Sequence, residues 1–225
     1  MFREPRVRLD IYREEQPLEP KPSDNEITLA HSEFSKLSPE ENLLTVNTVA
    51  LHADGDAAVA STQSLADAQP AEGASISGTS SVRLSYEFAE GWKFVRIEPK
   101  DAAARKIGGE PRAFGLWVHG DANGGVPCIR LRDATGQTHQ VRGEAITWKG
   151  WRYLTFPLRP APDDGRTMIP LPDAGAEQRV SWGHWGGAND GEVHQPIGWD
   201  SLFLLDGNRR AMKGEIYLSA PTLVY

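Results

Sequence analysis

The stretch that most constrains the fold is residues 112–158, where apolar and polar side chains alternate through several short segments. Successive side chains of a β-strand point to opposite faces of its sheet, so this alternation predicts strands with one buried and one exposed face. Turn sequences such as Asp-Ala-Thr-Gly at residues 133–136 separate the segments. The stretch therefore predicts four successive β-strands.

The same alternation predicts further short strands on both sides of this stretch. They fall at residues 7–12, 44–51, 82–88, 92–97, 201–205 and 215–225. The sequence Ser-Pro-Glu-Glu at residues 38–41 has the form of a short helix start, and no segment has the pattern of a long helix. About ten short strands separated by turns are typical of an all-β fold. We expect an antiparallel β-sandwich or jelly roll with little helix.

Sequence composition along the chain suggests how the domain is bounded. We expect residues 1–30 to form an N-terminal strand and an extended connector, because proline and glutamate dominate residues 14–24. Residues 31–225 are predicted to form the jelly roll, with the clearest pattern at 78–225. Residues 53–78 are predicted to be a long loop with at most a minor strand, and residues 159–176 an insertion too poor in apolar side chains to form a core.

Charge and cysteine content exclude several classes of partner. The chain has 24 Lys and Arg against 31 Asp and Glu, a net charge of −7, which argues against nucleic acid or an anionic membrane as partner. The single Cys128 excludes an internal disulfide and a cysteine-based metal site. The N-terminus has neither a signal-peptide core nor a span of about 20 apolar residues. These features predict either an intracellular protein or a segment of a longer secreted chain.

The side chains opposite the predicted core form the first candidate site. They are Trp117, His119, Arg130, Arg132, Gln140, Trp151 and Tyr153. Sugars stack their C–H faces on aromatic rings and hydrogen-bond to planar polar groups. We expect a polysaccharide to stack on the three aromatic residues and to be fixed by the arginines, the histidine and the glutamine. Alternatively, the N-terminal arm or the insertion folds across this face and buries it. The two arginines would also suit an acidic sugar.

The glycine-rich segment at residues 181–195, predicted to be a loop, is the second candidate. Trp182, His184 and Trp185 could contact a ligand there, because glycines let the backbone approach closely. The alternative is that both tryptophans plug the end of the sandwich. A metal site from the histidines and acids of this loop has no fixed spacing to support it. Calcium remains open, because oxygen-bearing side chains occur in several turns, at Asp121, Asn123, Asp190 and Asp206.

Five segments resemble galactose-binding-domain-like jelly rolls, the carbohydrate-binding modules of bacterial glycoside hydrolases and related secreted proteins. They read GLWVHGDANGG, IRLRDATGQTHQ, ITWKGWRYLTFPL, PIGWDSLFLLDGN and GEIYLSAPTLVY, within residues 78–225. The resemblance implies an extracellular, non-catalytic module that binds polysaccharide and is covalently linked to other domains. Such modules often carry an acidic calcium ligand in the closing strand. Ser219 stands there in this chain, which argues against that structural calcium.

Two other functions stay open at this point. A polysaccharide-degrading hydrolase would need paired carboxylates, and no two in this chain stand in a recognisable relation. A lyase would need a base and a charge neutraliser, for which His119 or Tyr153 with Arg130 would serve. A purely structural module would position neighbouring domains and bury its aromatic face against its own N-terminal arm.

Overall fold

The computed structural model describes residues 44, 46–68, 81–158, 166–170 and 177–224. These ranges contain twelve β-strands and one short 3₁₀ helix, Ala103–Arg105. The strands are β1 (Val49–Gly55), β2 (Ser61–Ala68), β3 (Ser81–Phe88), β4 (Lys93–Pro99), β5 (Ala113–Asp121), β6 (Val126–Arg132), β7 (Thr138–Arg142), β8 (Lys149–Pro157), β9 (Arg166–Pro170), β10 (Glu177–Trp185), β11 (Gly198–Asp206) and β12 (Met212–Val224). None of the helical structure in this part of the chain is long and apolar enough to cross a membrane.

The strands form two antiparallel sheets. A seven-stranded sheet has the order β1-β4-β11-β6-β7-β10-β9, and a five-stranded sheet has the order β2-β3-β12-β5-β8. Strands that are consecutive in the chain often lie in different sheets, which is how a sandwich with crossing connections is built. The predicted all-β sandwich is confirmed.

The core lies between the two sheets and is made by the inward side chains of the alternating strands. Phe114 and Phe156 of the five-stranded sheet are fully buried, as are Ile97, Ile129 and Phe203 of the seven-stranded sheet. Burying each such side chain stabilises the fold by about 1.5–3 kcal/mol. The period-two pattern that predicted the strands therefore reports the inner faces correctly.

Several predicted boundaries were wrong. The strand predicted at residues 44–51 is β1, which begins at Val49. Residues 53–78, predicted as a loop with at most a minor strand, contain the eight-residue strand β2. β2 is an edge strand, paired only with β3 along the five-stranded sheet, so it needs few large apolar side chains. The first part of the predicted loop at 181–195 belongs to β10, which pairs with β7 despite its glycine. The insertion contributes β9 to the sheet edge.

The strand predicted at residues 7–12, the short helix start at 38–41 and the connector lie outside the described residues. The division into an N-terminal segment and a jelly-roll domain stays a prediction.

Candidate functional site

The seven side chains predicted to share one exposed face lie on two different sheets. Strands β5 and β8, which carry Trp117, His119, Trp151 and Tyr153, pair with each other in the five-stranded sheet. Strands β6 and β7, which carry Arg130, Arg132 and Gln140, pair in the seven-stranded sheet. The prediction of a common face was wrong, because alternation determines the faces of one strand but not the sheet that the strand joins. The lyase constellation of Arg130 with His119 or Tyr153 is likewise not assembled.

The outer face of the five-stranded sheet holds a packed aromatic cluster. Trp117, Trp151 and Tyr153 are only 5%, 5% and 3% exposed. The Trp117 and Tyr153 rings meet edge to face at 5.4 Å, and the half-buried His119 meets Trp151 edge to face at 5.3 Å. Burial raises the pKa of Tyr153 to about 12. The sugar-stacking role of these rings stays a prediction, and their surfaces are covered in this structure.

The predicted polar residues Arg130, Arg132 and Gln140 lie together on the outer face of the seven-stranded sheet. We call it the arginine face. Its members are Trp92, Phe94, Arg96, Arg130, Arg132, Gln140, Arg142, Gly183 and Trp185. The register explains the grouping, because Arg130 lies opposite Gln140, and Gln140 lies opposite Gly183 on the next strand. The neighbours of these residues along each strand, such as Ile129 and Val141, point into the core.

Three aromatic rings and one guanidinium form a row across this face. The rings of Trp92 and Phe94 lie 5.5 Å apart. The Cζ atom of Arg130 lies 5.3 Å from the centroid of Phe94 and 5.3 Å from that of Trp185. Within the described part of the chain, the exposed large apolar side chains are Trp92, at 45%, and Trp185, at 44%. Both lie on this row, one at each end.

The arginines of this face differ in their partners. Three of them form ion pairs: Arg96 with Asp54 at 3.2 Å, Arg132 with Asp200 at 3.1 Å and Arg142 with Asp206 at 2.8 Å. The fourth, Arg130, donates from Nε to the amide oxygen of Gln140 at 2.7 Å. No carboxylate among the described residues lies within ion-pairing distance of it. Burial is the largest cause that lowers the pKa of Arg130, because desolvation disfavours the charged form.

The sheet surface at Gly183, on the arginine face, has space for a side chain. Among the described residues, a Cβ atom added at Gly183 would meet no atom within 4 Å. Gly183 lies directly opposite Gln140, the residue that holds Arg130. The missing side chain therefore leaves room on this face beside Gln140 and Trp185, where a ligand could reach the sheet.

The second candidate group is divided between the two sides of β10. Trp185 points to the arginine face, whereas Trp182 packs against the core, 5.7 Å from the ring of His139. His184 is exposed and lies beside Gly191, where an added Cβ would be 3.1 Å from the imidazole. The predicted grouping of Trp182 and His184 with Trp185 in one loop was wrong, because the segment is a strand and its side chains alternate.

Sequence reasoning missed several members of the arginine face. Trp92, Phe94 and Arg96 occupy alternate positions of the segment WKFVRI, and Arg142 follows Gln140 with the same spacing. The alternation of side chains in β4 could have shown that these residues share one face. The polar side chains that alternate in β6 and β7 could have shown the same for Arg142. The pairing of β4 with β6 through β11 could not be read from that alternation.

Among the described residues, one group has metal-ligand character. Asp190, Glu192 and His194 offer ligand atoms within 4.8 Å of one another. Protein donors already engage Asp190, since His194 Nε2 lies 2.9 Å from one carboxylate oxygen and Gln137 Nε2 donates to the other at 3.1 Å. These hydrogen bonds lower the pKa of Asp190 to about 2. Of the turn residues predicted as calcium ligands, only Asp190 belongs to this group.

Comparison with known proteins yields little beyond the fold. No protein-family model matches the chain. No curated protein matches it either. Among solved structures, the chain is similar to the family 11 carbohydrate-binding module of the cellulosomal cellulase Lic26A-Cel5E of Clostridium thermocellum. The identity is 12%, the TM-score is 0.38, and the match covers 79% of this chain and 87% of that chain. So distant a likeness carries no argument about a ligand, and the class of the protein rests on its own geometry. It is an antiparallel β-sandwich with an outer face of exposed tryptophans and arginines.

Proposed function

We propose that the chain is a non-catalytic carbohydrate-binding module and that polysaccharide binds across the arginine face. The observation that carries this proposal is the row from Trp92 through Phe94 and Arg130 to Trp185. Exposed tryptophans are unfavourable on a surface that only meets water, and here they mark both ends of one line. A row of this kind suits an extended ligand better than a compact one.

The chemistry of the row matches a sugar chain. The exposed rings of Trp92 and Trp185 offer apolar planes on which the C–H faces of pyranose rings can stack. Between them, the guanidinium of Arg130 offers planar donors to sugar oxygens, and the amide of Gln140 offers both a donor and an acceptor. Stacking at the ends and hydrogen bonding in the middle would hold a chain along the row.

Binding fits the carboxylates of the face better than hydrolysis does. Asp54, Asp200 and Asp206 each form an ion pair with an arginine, and Asp200 and Asp206 also accept a hydrogen bond from it. A general acid in glycoside hydrolysis must hold a proton near neutral pH, and an adjacent guanidinium opposes this. We therefore place the chain among modules that bind and do not cleave. The resemblance in its sequence supports a larger extracellular bacterial protein as its parent, with further domains linked to it.

Affinity electrophoresis through gels that contain neutral or acidic polysaccharides tests the proposal. We expect at least one polysaccharide to retard the protein, and Trp92→Ala and Trp185→Ala each to weaken binding about tenfold, which corresponds to the loss of one stacking contact. His119→Ala, on the opposite sheet, is the matched control and should bind like the wild type. No retardation by any polysaccharide would sink the proposal. Loss of binding in the His119 variant alone would move the site to the five-stranded sheet.

A further inference from the structure

We propose that the arginine face selects an acidic polysaccharide and that Arg130 binds the carboxylate of a uronic acid residue. This inference rests on the proposed function and adds the class of sugar. It starts from the difference between Arg130 and the other arginines of the face. Each of those is held by a carboxylate of the protein, whereas Arg130 has only the neutral amide of Gln140.

The position of Arg130 makes an external anion favourable. The guanidinium carbon lies 5.3 Å from the centroids of both the Phe94 and the Trp185 rings, and partial burial reduces the hydration of the charge. Asp200 and Asp54 attract this charge only from beyond ion-pairing distance. A charge with reduced hydration and no carboxylate in direct contact gains more from a bound carboxylate than a fully solvated charge does. Asp54, Asp200 and Asp206 offset the other three arginines of the face, so this cation does not belong to a general basic surface. The site is local.

The geometry of Arg130 favours a carboxylate in particular. Its Nε hydrogen bond to Gln140 constrains the guanidinium, and among the described residues no hydrogen bond engages its two terminal nitrogens. Two parallel N–H donors match the two oxygens of a carboxylate in a bidentate pair. The open space above Gly183 lies on the same side of the sheet and next to Gln140. A sugar stacked on Trp185 could therefore direct its carboxylate to Arg130.

The decisive experiment compares polygalacturonate with the same polymer after its carboxyl groups have been reduced to alcohols. Dissociation constants are measured by calorimetry at physiological salt. We expect the wild type to bind the acidic polymer at least tenfold more tightly than the reduced one. Arg130→Gln should lose this preference and bind the acidic polymer as weakly as the reduced one. A charged hydrogen-bonded pair contributes roughly one to two orders of magnitude in affinity. Arg130→Lys keeps the charge but not the two parallel N–H donors, and its affinity for the acidic polymer should lie between those of the wild type and Arg130→Gln.

Arg83→Gln is the matched control, because Arg83 lies in β3 of the five-stranded sheet and already pairs with Glu215. It should keep the preference for the acidic polymer. If Arg83→Gln removes that preference and Arg130→Gln keeps it, the assignment to Arg130 is overturned. A second pair of variants tests the location without touching any charge. Gly183→Phe fills the open space and should abolish binding to both polymers. Gly108→Phe, where an added Cβ also meets no atom of the described residues within 4 Å, should not.

The other outcomes separate this inference from the proposed function. Equal binding of the acidic and reduced polymers by the wild type overturns the uronate preference and leaves carbohydrate binding intact. A further outcome is that dextran sulfate binds the wild type as tightly as polygalacturonate does, with no loss of affinity in Arg130→Gln. That result would show general attraction to polyanions and would also overturn the inference. Failure to bind any polysaccharide overturns the proposed function and this inference together.

Discussion

The two outer faces of the sandwich use aromatic side chains in opposite ways. On the five-stranded sheet, Trp117, Trp151 and Tyr153 pack on one another and are nearly inaccessible. On the seven-stranded sheet, Trp92 and Trp185 are almost half exposed and are separated by Phe94 and Arg130. Both faces are rich in aromatic residues, so composition alone does not distinguish them. Exposure does, because the rings of the first face are buried and those of the second are accessible, and this difference is the basis of the proposed binding site.

The largest expected effect comes from truncating one tryptophan on each face. Trp117→Ala should lower the free energy of unfolding by about 3–5 kcal/mol, because it removes a buried ring and leaves a cavity. Trp185→Ala should lower it by less than about 1 kcal/mol, since the ring is 44% exposed and its main contact is with Arg130. Urea unfolding followed by circular dichroism measures both. Similar losses in the two variants would remove the distinction between the faces.

The sequence predicted the strands far better than it predicted the site. The alternation through Phe114, Leu116 and Val118 reports which side chains of one strand share a face, and that information is local. Whether β5 pairs with β6 or with β8 depends on how connections cross between the sheets, which side-chain periodicity does not encode.

For this reason Trp117 and Arg130 were expected to lie together but are on opposite sides of the molecule. Trp185 and Arg130, by contrast, are in contact although they are 55 residues apart in the chain. The strands were predicted correctly but their pairing was not. The prediction therefore named the right types of residue for a site and grouped them with the wrong neighbours.

A smaller effect is expected from adding one methyl group to a glycine on each outer face. Gly115→Ala should destabilise the protein by about 1–3 kcal/mol, because the new Cβ would overlap the hydroxyl of Tyr153 and lie 2.8 Å from Thr222 Oγ1. Tyr153 would have to move and strain its 2.9 Å hydrogen bond to Thr222. Gly183→Ala should be neutral or stabilise by up to about 1 kcal/mol, because its Cβ meets nothing and a strand glycine costs conformational entropy.

Thermal and urea unfolding of these two glycine variants, measured side by side, checks this expectation. The comparison of the faces fails if Gly183→Ala is the more destabilised of the two. Such a result would mean that the surface near Arg130 is already filled, and the space assigned to a ligand would not exist.

The smallest effect concerns the apolar floor beneath the arginine face. Cys128 is fully buried there with Phe94, Val126 and Leu204, and burial raises the pKa of its thiol to about 12. A thiol reacts as its thiolate, so Cys128 in the folded protein should react with Ellman's reagent orders of magnitude more slowly than an exposed cysteine at pH 8. In a Cys128→Ser background, Gly183→Cys should react like an ordinary surface thiol.

The pH dependence of stability follows from the same burial. The folded-state pKa of Cys128 lies above the unfolded value of about 8.5, so the thiol's contribution to stability is complete below about pH 8.5 and declines as the pH rises toward about 12. The stability of the wild type relative to Cys128→Ala should therefore fall across this interval, as measured by urea unfolding at a series of pH values. A flat difference, together with rapid labelling of Cys128 at pH 8, would show that the floor admits water. The sheet beneath the arginine face would then not be closed to solvent.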